Sequence, residues 1–358
     1  MSPDHSARHY AVDSDRMLDK VLDLPGQMEA AWDFSEPFST CIPGRDAPLI
    51  ICGMGGSAIG GELLRDLVSV AAPVAVHVVR GYRLPSFAGP GTPVICISYS
   101  GNTEETVSCY NDALARGCPT AVITSGGELA SAAAGAGIPL LEIPGGLPPR
   151  AALGWLFTPL LRFAACRGLC EIDDAAFRSV LRRTRRLLAK CTLEADLAGN
   201  TPLQLAKRLY GKIPLIYCAN GLLPGAAYRW KCQFNENSKS MAFLGVFPEI
   251  GHNEIMGWDG PGKILQELFL ILLTDADDHK SVRRRMEVTY EMLEPLAAGA
   301  IRINSVGGGG FDGRLARLLS VVTLGDLTSV YLAVESGRDP TPIERIETVK
   351  DLLRTEDR

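Results

Sequence analysis

Nine short strand-like runs, none longer than seven residues, set the frame of this chain. Five lie at 48–51, 73–79, 93–97, 119–124 and 138–143, and four more at 212–218, 242–246, 268–274 and 301–306. Runs of this length, bounded by glycine, proline or polar residues, predict strands rather than core helices. Helical patterns separate them, at 57–70, 103–116 and 129–134 in the first half and at 225–239, 280–297, 311–335 and 343–353 in the second. Strands joined by helical crossovers pair in parallel beneath the helices that connect them. The stretch over 151–197 has no strand signal and carries Leu156, Leu160, Leu161 and Phe163 at helical spacing. The expectation is an α/β chain of two mostly parallel sheets flanked by helices. Its units are an N-terminal domain over 1–150, a helical connector over 151–197 and a C-terminal domain over 198–358.

A length of 358 residues suits two domains, and 46% hydrophobic residues supply two cores. The net charge of −5 is no footprint for nucleic acid. The basic clusters at 182–186 (RRTRR) and 283–285 (RRR) sit in helical patterns and read as solvated helix faces, a local anion site being the other reading. The longest apolar run, 268–273, is far shorter than a bilayer requires, and the polar first residues lack the core of a signal peptide. The ten cysteines are scattered; only Cys166 and Cys170 are near one another, and no second pair or histidine completes a zinc site. Reduced thiols, a cytoplasmic location, no membrane or nucleic-acid partner and no metal or cofactor are expected.

Two turns carry chemistry in the first half. GMGGSAIGG (53–61) follows the first strand and opens a helix. A dinucleotide site would want an acidic residue at the end of the next strand, where Arg80 stands instead. The glycines still allow backbone N–H groups to approach an anion at a helix start. SYSGNTEET (98–106) follows the third strand and brings three hydroxyls, Ser98, Ser100 and Thr103, around one glycine bend. A helix cap by Asn102 or Thr103 needs only one such side chain; three suit a phosphate. No Gly-Lys-Ser/Thr sequence accompanies them, which counts against ATP or GTP. GGSAIG and SYSGNTEET, in this order after strands, resemble the sugar isomerase (SIS) fold. That likeness implies that Gly56, Ser57, Ser98, Ser100 and Thr103 bind the phosphate of a phosphosugar, and that each domain is of SIS type.

In the second half, Glu236 stands between two asparagines near the end of a helix, where a solvent-exposed helix end is the plainer reading. His252, in Gly251-His252-Asn253-Glu254, is the one histidine of five in a glycine–asparagine loop near a candidate carboxylate. His5 and His9 fall in an N-terminus expected to be mobile, His77 in a strand, and His279 beside a run of aspartates. His252 is therefore the best acid–base candidate among them.

RWKCQFNENSKSMAF followed by GHNEIMGW closely resembles the bifunctional phosphoglucose/phosphomannose isomerases, and the likeness runs over nearly the whole chain. It implies an aldose–ketose isomerase, independent of metal, acting on glucose 6-phosphate, mannose 6-phosphate and fructose 6-phosphate through an enediolate. Glu236 would shuttle a proton between C2 and C1. Arg150 would stabilise the enediolate, and Lys350 would sit near the ring oxygen. His252 would open the ring, reaching the site of the neighbouring subunit of a homodimer. Thr341 would shape room for the second epimer. The other readings are a phosphosugar-binding SIS sensor without catalysis and an amidotransferring SIS enzyme; the second lacks a glutaminase domain here. A sensor needs the phosphate turn but not Glu236, His252 and Arg150 together.

Overall fold

The structure, a computed structural model, describes residues 3–43, 46–196 and 198–356. The outer limits of the expected units, at residues 1–2, 197 and 357–358, lie outside the described residues. Three helices come first: α1 (Pro3–Val12), α2 (Met17–Leu22) and α3 (Leu24–Phe34). Then follow β1 (Leu49–Cys52), α4 (Gly55–Val68), β2 (Val76–Val79), β3 (Val94–Ser98), α5 (Glu104–Ala115), β4 (Thr120–Thr124), α6 (Gly127–Gly135) and β5 (Leu140–Glu142). Helices α7 (Leu153–Cys166), α8 (Asp174–Leu188) and α9 (Thr201–Leu209) bridge to the second sheet. There β6 (Ile213–Ala219), α10 (Pro224–Glu236), β7 (Phe243–Phe247), α11 (Gly262–Leu265), β8 (Leu268–Thr274), α12 (Lys280–Leu293) and β9 (Gly299–Asn304) alternate. The chain closes with α13 (Gly310–Glu335) and α14 (Glu344–Glu356).

Both sheets are parallel throughout, in the orders β2-β1-β3-β4-β5 and β7-β6-β8-β9. Strands β1, β3 and β4 are buried at every residue. Covering both faces is what makes a parallel strand read as an unbroken apolar run, and it is why the strands were legible. In the first sheet the chain moves from β1 outward to β2, then returns to β3 on the other side of β1. Connections that diverge in this way leave a crevice beyond the carboxyl ends of the two central strands. The glycine turn follows β1 and the hydroxyl turn follows β3.

One apolar core runs through both halves, joining Ile95 and Ile97 of the first sheet to Ile271 and Leu273 of the second by way of α7, α10 and α13. Helix α13 is long and apolar enough to cross a bilayer, but 78% of its apolar window is buried inside the chain, as befits a core helix. Helices α1–α3 and α9 had no sequence-based expectation. The N-terminus expected to be mobile is a packed helix at His9, which is 3% exposed and meets Tyr331 edge-on at 5.6 Å. Asp13 then caps α2 through Met17 N (2.7 Å) and Leu18 N (2.9 Å). The physical reason is tertiary: a polar segment is held by a handful of buried contacts that apolar periodicity does not register.

Helices α4 and α10 lie side by side and antiparallel. Asp66, near the end of α4, accepts from Gly225 N at the start of α10 (2.6 Å). At the opposite ends, Gly56 packs against the Pro149–Arg150 backbone, and Arg150 in turn contacts Glu236. The far side of α10 rests on α13, where Gly325 makes room for the Trp230 ring. A Cβ on Gly325 would stand 2.1 Å from Trp230 Nε1, an atom already committed to the Val321 carbonyl at 2.8 Å. Alanine ordinarily improves on glycine inside a helix. At this position the sign should reverse: Gly325→Ala is expected to lose about 1–3 kcal/mol through overpacking. A urea titration monitored by circular dichroism reads this as a lower midpoint, and an unchanged or raised midpoint would refute so close a contact.

Candidate active site

The crevice beyond β1 and β3 is lined by two helix starts whose first-turn N–H groups receive no side-chain cap. Met54 precedes α4 in extended conformation, and Thr103 precedes α5; neither side chain bonds back into its helix. Neither Asn102 nor Thr103 caps α5. Asn102 instead accepts from Glu128 N (3.0 Å) at the start of α6. Uncapped N–H groups at two converging helix starts favour an anion.

The bend between them is tightly built. Ser98 is fully buried, and its Oγ accepts from Gly101 N (3.1 Å) and donates to Thr103 Oγ1 (2.9 Å). Gly101 adopts φ 71°, and a Cβ there would sit 1.8 Å from the Gly126 carbonyl oxygen, so only glycine fits. Ser57 joins the two turns, its Oγ accepting from Tyr99 N at 3.1 Å. Ser100 lies exposed at the bend, its Oγ 3.3 Å from Asn102 N. Tyr99 ties the bend to the next loop, donating to Pro144 O (2.9 Å) and accepting from Leu147 N (3.0 Å).

That loop leads to Arg150, whose side chain is 3% exposed. Nε donates to Asn237 Oδ1 (2.6 Å), and Nη2 to the carbonyls of Pro340 (2.7 Å) and Thr341 (2.8 Å). Nη1 approaches Glu236 Oε2 at 3.5 Å. Burial pulls the Arg150 pKa below its ordinary value, and the Glu236 charge opposes that shift. The backbone beneath is held by Arg229, which donates to Arg150 O (2.7 Å) and pairs with Asp326 (2.8 Å), both side chains buried. Asn237 is fully buried and also donates to Ser329 Oγ (2.9 Å). The Glu236 side chain keeps 26% of its surface open. A fixed cation beside a half-open carboxylate suits proton transfer at a carbon next to an oxygen that gains negative charge.

Within one chain, then, Gly56, Ser57, Ser98, Ser100, Thr103, Arg150 and Glu236 converge. His252 and Lys350 do not join them. His252 ends a short 3-10 turn on the loop after β7, and its side chain is exposed, with no hydrogen bond or ion pair among the described residues. Its neighbour Glu254 turns instead toward Tyr217, accepting from its hydroxyl at 2.7 Å. A cavity of about 600 Å³ opens beside this loop, walled by Tyr217, Phe243, Trp258 and Leu265, and shares no residue with the Arg150–Glu236 pair. Lys350 is exposed on α14, likewise without a hydrogen bond or ion pair among the described residues. Sequence reasoning missed Asn237, Lys239 and the carbonyls of 339–341. Asn237 was visible in NEN as a polar residue directly after Glu236; the carbonyls left no signal, because every residue carries one.

Comparison with known proteins gives this arrangement relatives. A family model described as the bacterial phospho-glucose isomerase C-terminal SIS domain matches residues 198–353. A Caldicellulosiruptor bescii protein named bifunctional phosphoglucose/phosphomannose isomerase is 39% identical over 338 residues, covering 94% of this chain and 98% of that one. A protein of the same name from Aquifex aeolicus is 36% identical, covering 86% and 90%. Among solved structures, a hypothetical protein from Thermus thermophilus superposes with a TM-score of 0.75 over 99% of this chain and 94% of its own. At 16% identity that likeness speaks for the fold alone.

The bend at Gly101 offers a direct test of the anion site. Inorganic phosphate should raise the melting temperature of the wild type, because a ligand bound only by the folded state stabilises it. Gly101→Ala should remain folded yet lose most of that rise in a thermal scan. A wild type indifferent to phosphate, or a variant still protected by it, would count against these turns as the anchor.

Proposed function

This chain belongs to the bifunctional phosphoglucose/phosphomannose isomerase family, and on that footing we propose that it interconverts glucose 6-phosphate, and mannose 6-phosphate, with fructose 6-phosphate. The observation that carries the reading is the buried Arg150 guanidinium 3.5 Å from the Glu236 carboxylate, at the edge of the two anion-binding turns. A module that only sensed phosphosugars would need the turns but no such pair.

The phosphate docks against the N–H groups at the starts of α4 and α5 and the hydroxyls of Ser57, Ser100 and Thr103, while the buried Ser98 hydroxyl, expected from the sequence to touch it directly, donates to Thr103 and leaves the Thr103 proton free for it. Binding at that end holds the reacting carbons in register. In the open-chain aldose, Glu236 takes the proton from C2, and the C–H electron pair forms the C1–C2 double bond. The C1 carbonyl oxygen gains the charge, next to Arg150, which favours the enediolate over the ground state. Delivery of the proton to C1 and transfer of the O2 hydroxyl proton to O1 complete the ketose. Glucose and mannose 6-phosphates differ only at C2, so one base serves both after rotation about C2–C3. The Thr341 hydroxyl, buried beside Arg150 without a protein partner, is suited to meet the sugar where that rotation is accommodated.

His252 and Lys350 complete the proposed machinery. His252 opens the ring from a neighbouring copy of the chain, a role supported by its exposure and by exposed Met256 four residues further along the same loop. Lys350 lies near the ring oxygen. The ten free cysteines fit a reducing, cytoplasmic setting.

A coupled assay on the chelator-treated protein should show turnover of fructose 6-phosphate and mannose 6-phosphate; silence with both would end the isomerase reading, and loss of turnover on chelation would redirect it to a metal. Glu236→Gln should lower kcat by about 10²–10⁴-fold, leave phosphosugar binding in place and abolish exchange of the C2 proton with solvent. Retained exchange would take Glu236 out of its role.

The shared site makes a separate prediction. His252→Ala and Glu236→Gln proteins, each nearly inactive, should regain activity when their subunits are mixed, since one site in the mixed dimer keeps both groups. Verified subunit exchange without recovery would argue that each chain works alone.

A further inference from the structure

Lys239 follows the NEN segment and has a backbone no ordinary side chain prefers, with φ 54° in the left-handed region. Its ammonium gathers four carbonyl oxygens. Two belong to the end of the helix that carries the candidate base: Glu236 O at 2.9 Å and Asn237 O at 3.2 Å. The other two belong to the segment that follows α13: Asp339 O at 2.7 Å and Pro340 O at 3.1 Å. Arg150 Nη2 also donates to Pro340 O, at 2.7 Å, so one carbonyl is shared by two cations. The segment is braced further by Thr341 N on Asp339 Oδ1 (2.9 Å) and by Ser14 Oγ on Asp339 Oδ2 (2.9 Å).

We infer that Lys239 is a positioning residue for the isomerisation, tying the end of α10 to the 339–341 segment and so holding the Glu236 carboxylate in register with the Arg150 guanidinium. This rests on the isomerase reading above. An ammonium is a natural partner for the free carbonyls at a helix end. Without it, α10 would be linked to Arg150 through Asn237, the 3.5 Å contact itself and, two turns back from Glu236, Arg229 on Arg150 O.

The same surroundings make the tie sensitive to pH. Burial, then the Arg150 charge, lowers the Lys239 pKa to about 8, with Arg338 adding to the effect and Asp339 and Glu236 opposing it. These are the charged groups that face it from α10, from the loop before α7 and from the segment after α13. Below that pH the group is a cation whose three N–H donors are shared among four carbonyls; above it the neutral amine keeps two donors and loses the charge that draws the carbonyls in. Activity should therefore decline as pH rises through this value.

Three variants test the inference at saturating fructose 6-phosphate. Lys239→Met removes the charge, and Lys239→Gly removes it while relieving the left-handed backbone. Both should lose about tenfold or more in kcat at pH 7, the scale expected of a misplaced base, with KM changed by less than about threefold because the phosphate turns are untouched. Lys239→Arg keeps a charge that does not titrate, so the alkaline limb of its kcat profile should move upward from the wild-type position. In amide exchange at pH 7, peptides covering 336–350 should exchange faster in Lys239→Gly than in the wild type. A kcat within twofold of wild type in the folded Met and Gly variants, or an unmoved alkaline limb in Lys239→Arg, would overturn the inference. A wild type without turnover would sink the isomerase reading instead, and unchanged exchange would then still refute the tie.

Discussion

An arginine side chain that is 3% exposed cannot leave its N–H groups to water, and the placement of Arg150 organises much of this molecule around that fact. Four of its five donors find acceptors, and those acceptors come from widely separated parts of the chain: the end of α10 and the carbonyls of Pro340 and Thr341. Arginine stays charged even when burial lowers its pKa, so the alternative to pairing is an uncompensated buried cation. Breaking such a set by deleting a partner costs on the order of 3–5 kcal/mol. The Arg229–Asp326 pair beneath it extends the same logic one layer inward, fixing the backbone from which Arg150 projects.

The reason these groups meet at the first sheet's crevice is the antiparallel contact between α4 and α10. A crevice at the divergence of β1 and β3 offers uncapped helix starts to an anion, and the proposed base comes from the second half. Laying α10 against α4 in the opposite sense brings the end of the second-half helix to the start of the first-half helix. The same contact presents the Glu236 end of one helix to the uncapped start of the other. In the proposed reaction a phosphosugar several carbons long spans the two, phosphate toward α4 and α5 and carbonyl toward α10. Helix α13 backs α10 throughout, with Gly325 against Trp230, so the position of Glu236 is a property of the common core rather than of a surface loop.

How much of this was legible follows from what sequence encodes locally. Each of the nine strands lies within a few residues of its expected place; in β1, β3, β4, β6 and β8 the cause is two-sided burial, which leaves an apolar run bounded by turn residues. The bends at Gly53 and Gly101 were legible for a similar reason, since close approach and positive φ require glycine. The helices α1–α3 were not, because His9 and Asp13 are polar residues whose burial is decided by Tyr331 and the start of α2. At the site, Glu236 and Arg150 entered through resemblance, 86 positions apart, and nothing in spacing alone would have paired them. Lys239 is the sharpest case: a lysine beside NEN reads as a solvated charge until its four carbonyl partners are seen.

The segment that these cations hold is also the root of α14. Residues 339–341 are gripped by Arg150, Lys239 and Ser14, and the helix that bears Lys350 begins at Glu344. Lys350 therefore emerges from the Arg150 cluster by a short, fixed stem, although its own side chain makes no hydrogen bond or ion pair among the described residues. Helix α14 leaves Ile346, Val349, Leu352 and Leu353 between 42% and 60% exposed, so its orientation beyond the stem is set by little apolar burial within the chain. A group placed on such a helix is anchored at its base and adjustable at its tip. The proposed base and cation sit on a framework of buried polar contacts around Arg150 and Asn237, whereas Lys350 and His252, the groups proposed to act at ring opening, lie on exposed elements. That division matches the demands of the two steps, since proton transfer needs carboxylate and oxyanion donor held to within a fraction of an ångström, while ring opening must admit and release a whole hexose.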